Sequence, residues 1–286
     1  MDDYIIVTVT RGRIDDQYML DHMEPTCRGL ITICCHPGER KAHLKRWGSE
    51  VAGVVEYGKN CTNIGEVRNW VMEYGRRLGV KYVIQLDDDV YFGAHTDGYS
   101  FGLGYKLLTI RPNFSDREQQ NIYVEMFGRM LSGLRRGYGM VGLSARQGNN
   151  NATEEERPHT RLRGVYGVSV EKYFAGKERF SDMSNKEDFY MQLAFLTRGI
   201  DTLCINTFTF DTTVQNKAGG CSTYRNLDVI NRGSELLKEH FPDFVKLVQK
   251  KNDNWTNLGG ADSRTEVLVS WKKAYEYGVQ KYGKSK

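Results

Sequence analysis

Three consecutive carboxylates, Asp87, Asp88 and Asp89, directly follow the apolar segment 83–86. Adjacent negative charges repel one another, and a hard divalent cation relieves this because it prefers oxygen ligands and bridges to substrate phosphates. Side chains alternate along an extended backbone, so Asp87 and Asp89 can point the same way and Asp88 another. The triplet predicts a metal-assisted site for a phosphorylated ligand, with Asp89 as its principal ligand. A solvated loop of aspartates is the alternative.

A second acidic pair, Glu187 and Asp188, lies far along the chain at the start of a predicted helix. Ser184 precedes Glu187 by three residues, which is the spacing of a capping box and gives Glu187 a structural explanation. Asp188 is then the freer carboxylate and a candidate general base. Alternatively, both acids only complement the positive end of the helix dipole.

The first ninety residues predict the elements that position the triplet. Asn63 and Glu66 have the spacing of a helix N-terminus, and Gly79 is a plausible stop for that helix. Apolar runs and helical periodicity alternate in the order expected of a parallel sheet with helical crossovers. The predicted strands are 4–10, 30–35, 51–55 and 80–86, and the predicted helices are 39–47 and 63–78.

The rest of the chain predicts one continuing domain with C-terminal helices. We expect a nucleotide-binding half at 1–92, an acceptor-binding half at 93–225 and helical additions at 226–286. Residues 93–116, 146–160 and 211–225 resemble loops in composition. The predicted helices are 119–136, 185–198 and segments around 234–250 and 265–282, and the predicted strands are 140–143, 163–170 and 202–210.

Composition is that of an ordinary globular protein. The 286 residues are 40% hydrophobic and 27% charged, and the net charge of +4 does not by itself imply a nucleic-acid partner. The six cysteines form no C-x-x-C pair and no zinc-site spacing. No apolar run is long enough to span a bilayer, and no signal peptide is recognisable. These features lead us to expect a protein of a reducing cytoplasm.

One segment opens with Asn63, continues through Arg68-Asn69 into a helix and a strand, and ends at the acidic triplet. This segment is similar to the N-terminal half of GT-A nucleotide-sugar glycosyltransferases. The resemblance implies a GT-A-like α/β fold with a mixed sheet flanked by helices. It also implies that the Asp-x-Asp motif, matched by Asp87–Asp89, holds Mn²⁺ or Mg²⁺ on the donor diphosphate, with Asp88 also near the nucleotide. Thr10, Arg11 and Arg13 become candidates for the base and ribose pocket.

The same resemblance implies roles for further residues. Arg68 becomes a candidate diphosphate contact; because it lies off the apolar stripe of its helix, a solvated position is the alternative. Asp188, beside Glu187, would take the proton from the acceptor hydroxyl. The family often completes its metal site with a late histidine that is missing here; Asp211 is the nearest substitute and His240 a remote one. Lys217 is a candidate to close over the diphosphate, or is simply solvated.

Over residues 4–225, the chain resembles the phage-encoded TET/JBP-associated glycosyltransferases. The matching parts are the IIVTVTRGR start, the triplet, and the KEDFYMQLAFLTRG segment with the FTFD strand that follows it. This implies a UDP-sugar donor and, as acceptor, the hydroxymethyl group of 5-hydroxymethylcytosine in DNA, with the base flipped out. A glycan or protein acceptor and nucleotidyl transfer are the alternatives, and a non-enzymatic DNA-binding module ranks last. Candidate DNA contacts, all with plain structural explanations as well, are the basic residues Arg135, Arg136, Arg157, Arg161 and Arg163, the tail 271–286, and the aromatics Tyr99, Phe101, Tyr105 and Tyr166.

Overall fold

The computed structural model describes residues 3–95, 107–149, 152–212, 219–220, 224–251 and 262–284. Its strands are β1 (Tyr4–Thr10), β2 (Ile31–Cys35), β3 (Gly53–Glu56), β4 (Tyr82–Asp87), β5 (Val90–His95), β6 (Leu107–Thr109), β7 (Met140–Ala145), β8 (Glu156–Pro158), β9 (Val165–Ser169), β10 (Thr202–Thr212), β11 (Val245–Lys251) and β12 (Ser263–Val269).

The α-helices are α1 (Tyr18–Asp21), α2 (Pro25–Arg28), α3 (Arg40–Trp47), α4 (Ile64–Leu78), α5 (Ile110–Asn113), α6 (Asp116–Arg135), α7 (Arg146–Asn149), α8 (Val170–Ala175), α9 (Glu187–Leu196), α10 (Leu227–His240) and α11 (Trp271–Tyr282). A 3₁₀ turn, Phe180–Asp182, lies between α8 and α9.

One mixed sheet runs through most of the chain in the order β3-β2-β1-β4-β9-β7-β10-β5-β6, with β8 pairing to β10. The first four strands are parallel, as predicted. β9 then pairs antiparallel with both β4 and β7, and β10 pairs parallel with β7 and antiparallel with β5. The predicted α/β class, a mixed sheet flanked by helices as in GT-A-like folds, is confirmed.

The sheet separates two apolar clusters. Neighbouring residues of β1 belong to different clusters, Ile6 to one and Val7 to the other, because side chains alternate across a strand. The cluster that contains Val7 is covered by α4 and α9, and the cluster that contains Ile6 by α3 and α6. Burial on both faces explains why β1 and β4 have almost unbroken apolar sequences.

The helix that precedes the triplet forms as its end signals predict. The Asn63 side chain accepts a hydrogen bond from the backbone N–H of Glu66 at 3.1 Å, and Gly79 ends α4 with a φ of 72°. The Glu66 carboxylate accepts from the backbone N–H of Thr62 rather than from that of Asn63. Asn63 is therefore the cap, but the reciprocal contact of Glu66 reaches one residue further back than in a standard capping box.

Two regions differ from the expected elements. The segment 93–116 continues β5 and adds β6 and α5, because β5 finds a partner in β10. The helix predicted around 234–250 begins earlier, as α10, and ends before Pro242, which cannot continue a helix. β11 and β12 follow as an antiparallel pair, in which Val245 lies opposite Val269. The first part of the helix predicted around 265–282 is therefore also a strand, and only its second part is helical, as α11. Alternating Val and Leu in this stretch fit a strand as well as a helix.

Shorter differences occur in the segment 146–160, which forms α7 and β8 rather than a continuous loop. In the described part of the chain, no helix is both long and apolar enough to cross a bilayer. The described cysteines, Cys27, Cys34, Cys35, Cys61 and Cys204, are free thiols.

Candidate active site

A cavity of about 310 Å³ opens where β1 and β4 end and where α4 and α9 begin. The carboxyl ends of parallel strands are where open α/β sheets place their ligands. The structure brings both predicted acidic motifs, the triplet and the Glu187–Asp188 pair, to this cavity, which is called the first cavity below, although they are distant in sequence. The predicted residues that line it are Thr10, Arg11, Arg13, Arg68, Asp87, Asp88, Asp89, Glu187 and Asp188, together with two of the predicted DNA contacts, Arg161 and Arg163.

The three carboxylates of the triplet have different environments. The side chains of Asp87 and Asp89 are 33% and 31% exposed, whereas that of Asp88 is 6% exposed. Asp87 Oδ1 accepts a hydrogen bond from Arg68 Nη2 at 2.6 Å, and Asp89 Oδ2 accepts one from Arg13 Nη1 at 3.2 Å. The outer two aspartates are therefore more open to the cavity than the middle one, as predicted, but Asp88 and Asp89 lie in the turn between β4 and β5 rather than in an extended strand.

Asp88 anchors the end of β1. Its Oδ2 accepts from Thr10 Oγ1 at 2.6 Å, and its Oδ1 accepts from Arg13 Nη1. Gln17 Nε2 donates to Thr10 Oγ1 at 2.8 Å and to the Arg13 carbonyl at 2.7 Å, which completes a buried network. Burial raises the pKa of Asp88 to about 7 against the lowering effect of Arg13. Both oxygens of Asp88 are engaged by protein, so this carboxylate positions Thr10 and Arg13; its nucleotide contact stays a prediction.

The open carboxylates fit a divalent cation that also binds substrate oxygens. Burial and the charge of Asp87 raise the pKa of Asp89, although Arg13 lowers it. A cation between Asp87 and Asp89 would relieve this repulsion. Mg²⁺ and similar ions use one or two carboxylates and complete their shell with water and phosphate, which two open aspartates suit. Across the described residues, no group of three or more His, Cys, Asp or Glu side chains is arranged to hold a metal.

Arg68 joins the two acidic motifs and is not solvated. Its side chain is only 3% exposed. Its Nη2 donates to Asp87, its Nε donates to Glu187 Oε1 at 2.9 Å, and its guanidinium lies 5.0 Å from the centre of the Tyr166 ring. The alternative of a solvated helix residue is therefore wrong. The position off the apolar stripe is explained by two acidic partners, Asp87 and the buried Glu187, rather than by exposure.

A close backbone contact fixes the first turn of α4, from which Arg68 projects. A Cβ atom at Gly65 would lie 1.9 Å from the Met183 carbonyl oxygen and 2.4 Å from that of Phe180. Only glycine permits this approach of α4 to the 3₁₀ turn. The contact holds α4 near the start of α9, where Arg68 meets Glu187.

Glu187 has a different role from the predicted capping box. α9 is preceded by Lys186 with a φ of 61°, and no side chain caps it. Glu187 instead turns inward to Arg68, so the capping interaction with Ser184 is not formed. Burial and the neighbouring Asp188 raise the pKa of Glu187 to about 7, while Arg68 lowers it. The long-range ion pair replaces the local cap that the sequence suggested.

Asp188 is half-buried and lines the first cavity. Its Oδ1 accepts from the backbone N–H of Phe189 at 2.8 Å. Burial raises its pKa, whereas Arg68 and Arg161 lower it. An accessible carboxylate with a raised pKa, steadied at one oxygen, is suited to accept a proton from a bound hydroxyl group.

The structure does not bring Asp211 to this site. Its Oδ2 accepts from the Tyr91 hydroxyl at 3.1 Å, on the adjacent strand. Phe210 and Thr212 line the cavity and Asp211 does not, because alternate residues of β10 point to opposite faces. This placement argues against the predicted role of Asp211 as a metal ligand. His240 packs its ring 5.0 Å from that of Tyr190 and does not line the cavity either.

Some candidates from the sequence have other outcomes. Lys217, Tyr99, Phe101 and Tyr105 lie outside the described residues. Tyr166 has no exposed surface and packs against Phe180 in the core, so it cannot stack on a flipped base in this structure.

Tyr57 and Gly164 are among the cavity residues that the sequence reasoning did not select. Tyr57 lines the cavity immediately after β3, where the same strand-end rule could have found it. Gly164 has a φ of 65°, and its carbonyl accepts from the backbone N–H of Asp87 at 2.9 Å. A Cβ at Gly164 would lie 3.1 Å from Asp87 Oδ2. No local signal marks Gly164, because its role arises only from the pairing of β4 with β9.

The model of the TET-associated glycosyltransferase family matches residues 4–220. The chain belongs to this family. The match includes both acidic motifs and most of the residues that line the cavity, and it identifies the protein as a glycosyltransferase. Tyr224, Arg225, Ile230 and Glu266, which also line the cavity, lie beyond the match. The predicted family is confirmed. No curated protein sequence matches the chain significantly.

Solved structures that resemble this glycosyltransferase are distant. Glucosyl-3-phosphoglycerate synthase from Mycobacterium tuberculosis, in complex with Mg²⁺ and uridine-diphosphate, is 11% identical, with 93% of this chain and 87% of that chain covered and a TM-score of 0.49. Mannose-1-phosphate geranyltransferase from Thermus thermophilus is 10% identical, with 73% and 76% covered and a TM-score of 0.40. Because both TM-scores are below 0.5, the family assignment rests on the sequence match.

Proposed function

We propose that this glycosyltransferase transfers a sugar from a UDP-sugar to the hydroxymethyl group of 5-hydroxymethylcytosine in phage DNA, with Mn²⁺ or Mg²⁺ as cofactor. The observation that carries the proposal is the meeting of the triplet and the Glu187–Asp188 pair on one cavity, linked by Arg68. One motif suits a diphosphate with its cation, and the other suits a hydroxyl acceptor. Membership of the TET-associated family supports modified DNA as the acceptor.

The donor half of the cavity lies at the strand ends. Thr10, Arg11 and Tyr57 line the end that would receive the uridine, and Arg13 is held there by Asp88. Asp87 and Asp89 would hold the cation beside the donor diphosphate. When bound, the ion supplies positive charge that offsets the negative charge developing on the leaving diphosphate.

The acceptor half is organised around Asp188. As the acceptor hydroxyl oxygen forms its bond to C1 of the sugar, the bond between C1 and the diphosphate oxygen breaks and UDP leaves. Asp188 accepts the hydroxyl proton in this step. Glu187 and Arg68 keep the start of α9 in place. A cytosine in duplex DNA must be flipped out to reach this position.

Incubation with Mn²⁺, a panel of UDP-sugars, and DNA with or without 5-hydroxymethylcytosine tests the proposal. Digestion and mass measurement of the nucleosides should show the gain of one sugar only on the modified base, with UDP rather than pyrophosphate released. Asp188→Asn provides the inactive control. Transfer to a glycan but not to DNA would show that the acceptor is a glycan. Release of pyrophosphate would show that the reaction is nucleotidyl transfer rather than glycosyl transfer.

A further inference from the structure

A second cavity, of about 460 Å³, adjoins the active site on the acceptor side. It is bounded by the end of β7, by α7 and β8, and by the middle of β10. Arg161 and Arg163 line both cavities, so the two are contiguous. Arg157, at the centre of β8, lines only the second.

None of these three arginines forms a direct ion pair among the described residues, although the charges of Asp188 and Glu266 act on Arg161. Arg136, which is also close to β8, pairs with Glu156 at 2.8 Å. No ion pair within 4.0 Å is formed by Arg157, Arg161 or Arg163 in the described ranges. The second cavity's described lining includes a single carboxylate, Glu154. Three clustered positive charges beside one lining carboxylate favour the binding of an anion.

Aromatic rings hold two of the guanidinium groups at the boundary between the cavities. The Arg161 guanidinium lies 4.7 Å from the centre of the Phe189 ring, and that of Arg163 lies 6.0 Å from the centre of the Phe210 ring. Burial and the charge of Arg163 lower the pKa of Arg161, a shift that Asp188 opposes. Arg161 is thus placed between the proposed general base and the second cavity.

Neutral hydrogen-bonding groups complete the second cavity. Asn206 is buried, and its Nδ2 donates to the Glu154 carbonyl at 2.9 Å, which joins β10 to the segment before β8. Three hydroxyl side chains also line the wall, those of Ser144, Thr153 and Thr160. Arginine and hydroxyl donors around a pocket of this kind match the oxygen atoms of a phosphate group, which arginine can bind through two parallel hydrogen bonds.

We propose that the second cavity binds a backbone phosphate of the acceptor strand next to the nucleotide that receives the sugar. Arg157 is its outer contact, and Arg161 and Arg163 lie between this phosphate and the reacting groups. The identity of the strand rests on the proposed function. The location of the anion site rests on the arginines and the cavity.

Titration of a fluorescently labelled single-stranded oligonucleotide containing 5-hydroxymethylcytosine, in the presence of UDP and Mn²⁺, measures this site without turnover. Arg157→Ala should weaken binding about 10-fold, because a charge-assisted contact to phosphate is lost. It should also reduce the slope of log K against log salt by about 0.7, the value for one contact to a single strand. UDP affinity and the unfolding temperature should stay unchanged.

Arg117→Ala is the matched control, since Arg117 is exposed on α6 and lines neither cavity. It removes the same charge and should leave both the affinity and the slope as in the wild type. Equal effects of the two substitutions, or no binding of the oligonucleotide by the wild type, would overturn the proposed phosphate site.

Transfer assays separate this proposal from the proposed function. With free 5-hydroxymethyl-2′-deoxycytidine, which has no phosphate, Arg157→Ala should leave KM unchanged, while KM for the oligonucleotide rises. Arg157-dependent binding without sugar transfer by the wild type would refute the function and keep the site. Sugar transfer to DNA with no effect of Arg157→Ala would refute the site and keep the function.

Discussion

In the triplet at the end of β4, Asp88 is buried against Arg13, while Asp87 and Asp89 are open to the cavity. In the pair at the start of α9, Glu187 is buried against Arg68, while Asp188 is open to the cavity. Each motif thus combines a buried carboxylate that holds an arginine with an open carboxylate available for chemistry. The motifs differ in number, because the strand end presents two open carboxylates and the helix start only one. Two open acids suit a cation, and a single one suits a proton.

Substitution of an open triplet residue should have the largest effect on turnover. Asp89→Asn removes a proposed cation ligand and keeps the size of the side chain. We expect kcat to fall about 1,000-fold or more, since a catalytic cation contributes several kcal/mol. UDP binding should also lose its dependence on Mn²⁺, which calorimetry would measure. A variant with wild-type turnover and Mn²⁺ dependence would remove Asp89 from the metal site.

The open acid of the other motif should affect turnover alone. Asp188→Asn should lower kcat by roughly 100- to 10,000-fold, the usual contribution of a general base. The Kd for UDP with Mn²⁺ should remain that of the wild type, in contrast to Asp89→Asn. If UDP affinity falls equally in both variants, the division of labour between the two motifs is wrong.

The buried arginine that joins the motifs should matter for stability. Arg68→Met leaves Glu187 buried without a counter-charge, and breaking a buried ion pair costs about 3–5 kcal/mol of unfolding free energy. Urea denaturation followed by circular dichroism would measure the loss. Arg76→Met, on the exposed side of the same helix, should cost less than about 1 kcal/mol. Equal losses would mean that the Arg68 bridge contributes little.

The buried acid of α9 should give stability a specific pH dependence. Its pKa is raised from 4.5 to about 7, so the folded state binds the proton more tightly than the unfolded state. The associated stabilisation is present below pH 4.5 and is lost as the pH rises through about 7. Glu187→Gln mimics the protonated form. The wild type should therefore match this variant at pH 4.5 and become less stable than it by about 1–3 kcal/mol near pH 8.

The free energies of unfolding of the wild type and of Glu187→Gln, measured between about pH 4.5 and pH 8, test whether the wild type loses stability relative to the variant as the pH rises. Glu276→Gln, at a position that is 62% exposed, is the control and should run parallel to the wild type. A difference between the wild type and Glu187→Gln that does not change with pH would show that Glu187 is not titrating in this range.

The smallest effect is expected at the acid that neither motif includes. Asp211→Asn keeps an acceptor for the Tyr91 hydroxyl and changes no residue that lines the cavity. Turnover should change less than about threefold, and stability by less than about 1 kcal/mol. The Mn²⁺ concentration that gives half-maximal activity should be unaltered. A marked increase in that concentration would return Asp211 to the metal site.

The same comparison separates what local sequence could predict from what it could not. Asn63 and Gly79 mark the ends of α4 through contacts with nearby backbone groups, and the triplet directly follows the apolar part of its strand. These features depend on neighbours in sequence, so the sequence alone could predict them. Glu187 was misread because Ser184 offers a local capping pattern, whereas the deciding partner, Arg68, comes from another helix. The position of Asp211 opposite Tyr91, outside the cavity, depends on the pairing of β10 with β5, which its own neighbours in sequence do not reveal.

The C-terminal region shows the same limit at the level of whole elements. Residues 245–251 have a spacing of apolar residues that suits either a helix or a strand, and the choice is made by pairing with β12. Phe241 and Phe244 are buried around the turn that separates α10 from β11. Which periodicity prevails is therefore decided by contacts that no short window of sequence contains.

The position of β4 also constrains how the chain can be made. β4 is bonded on one side to β1 and on the other to β9, which follows it by some eighty residues in the printed sequence. Until β9 is synthesised, the strand that leads to the triplet has a free edge able to pair with other chains. The first ninety residues, expressed alone, should therefore aggregate rather than form a donor-binding fragment. Co-expression with residues 91–286 should restore solubility only if the two pieces associate before that edge finds another partner.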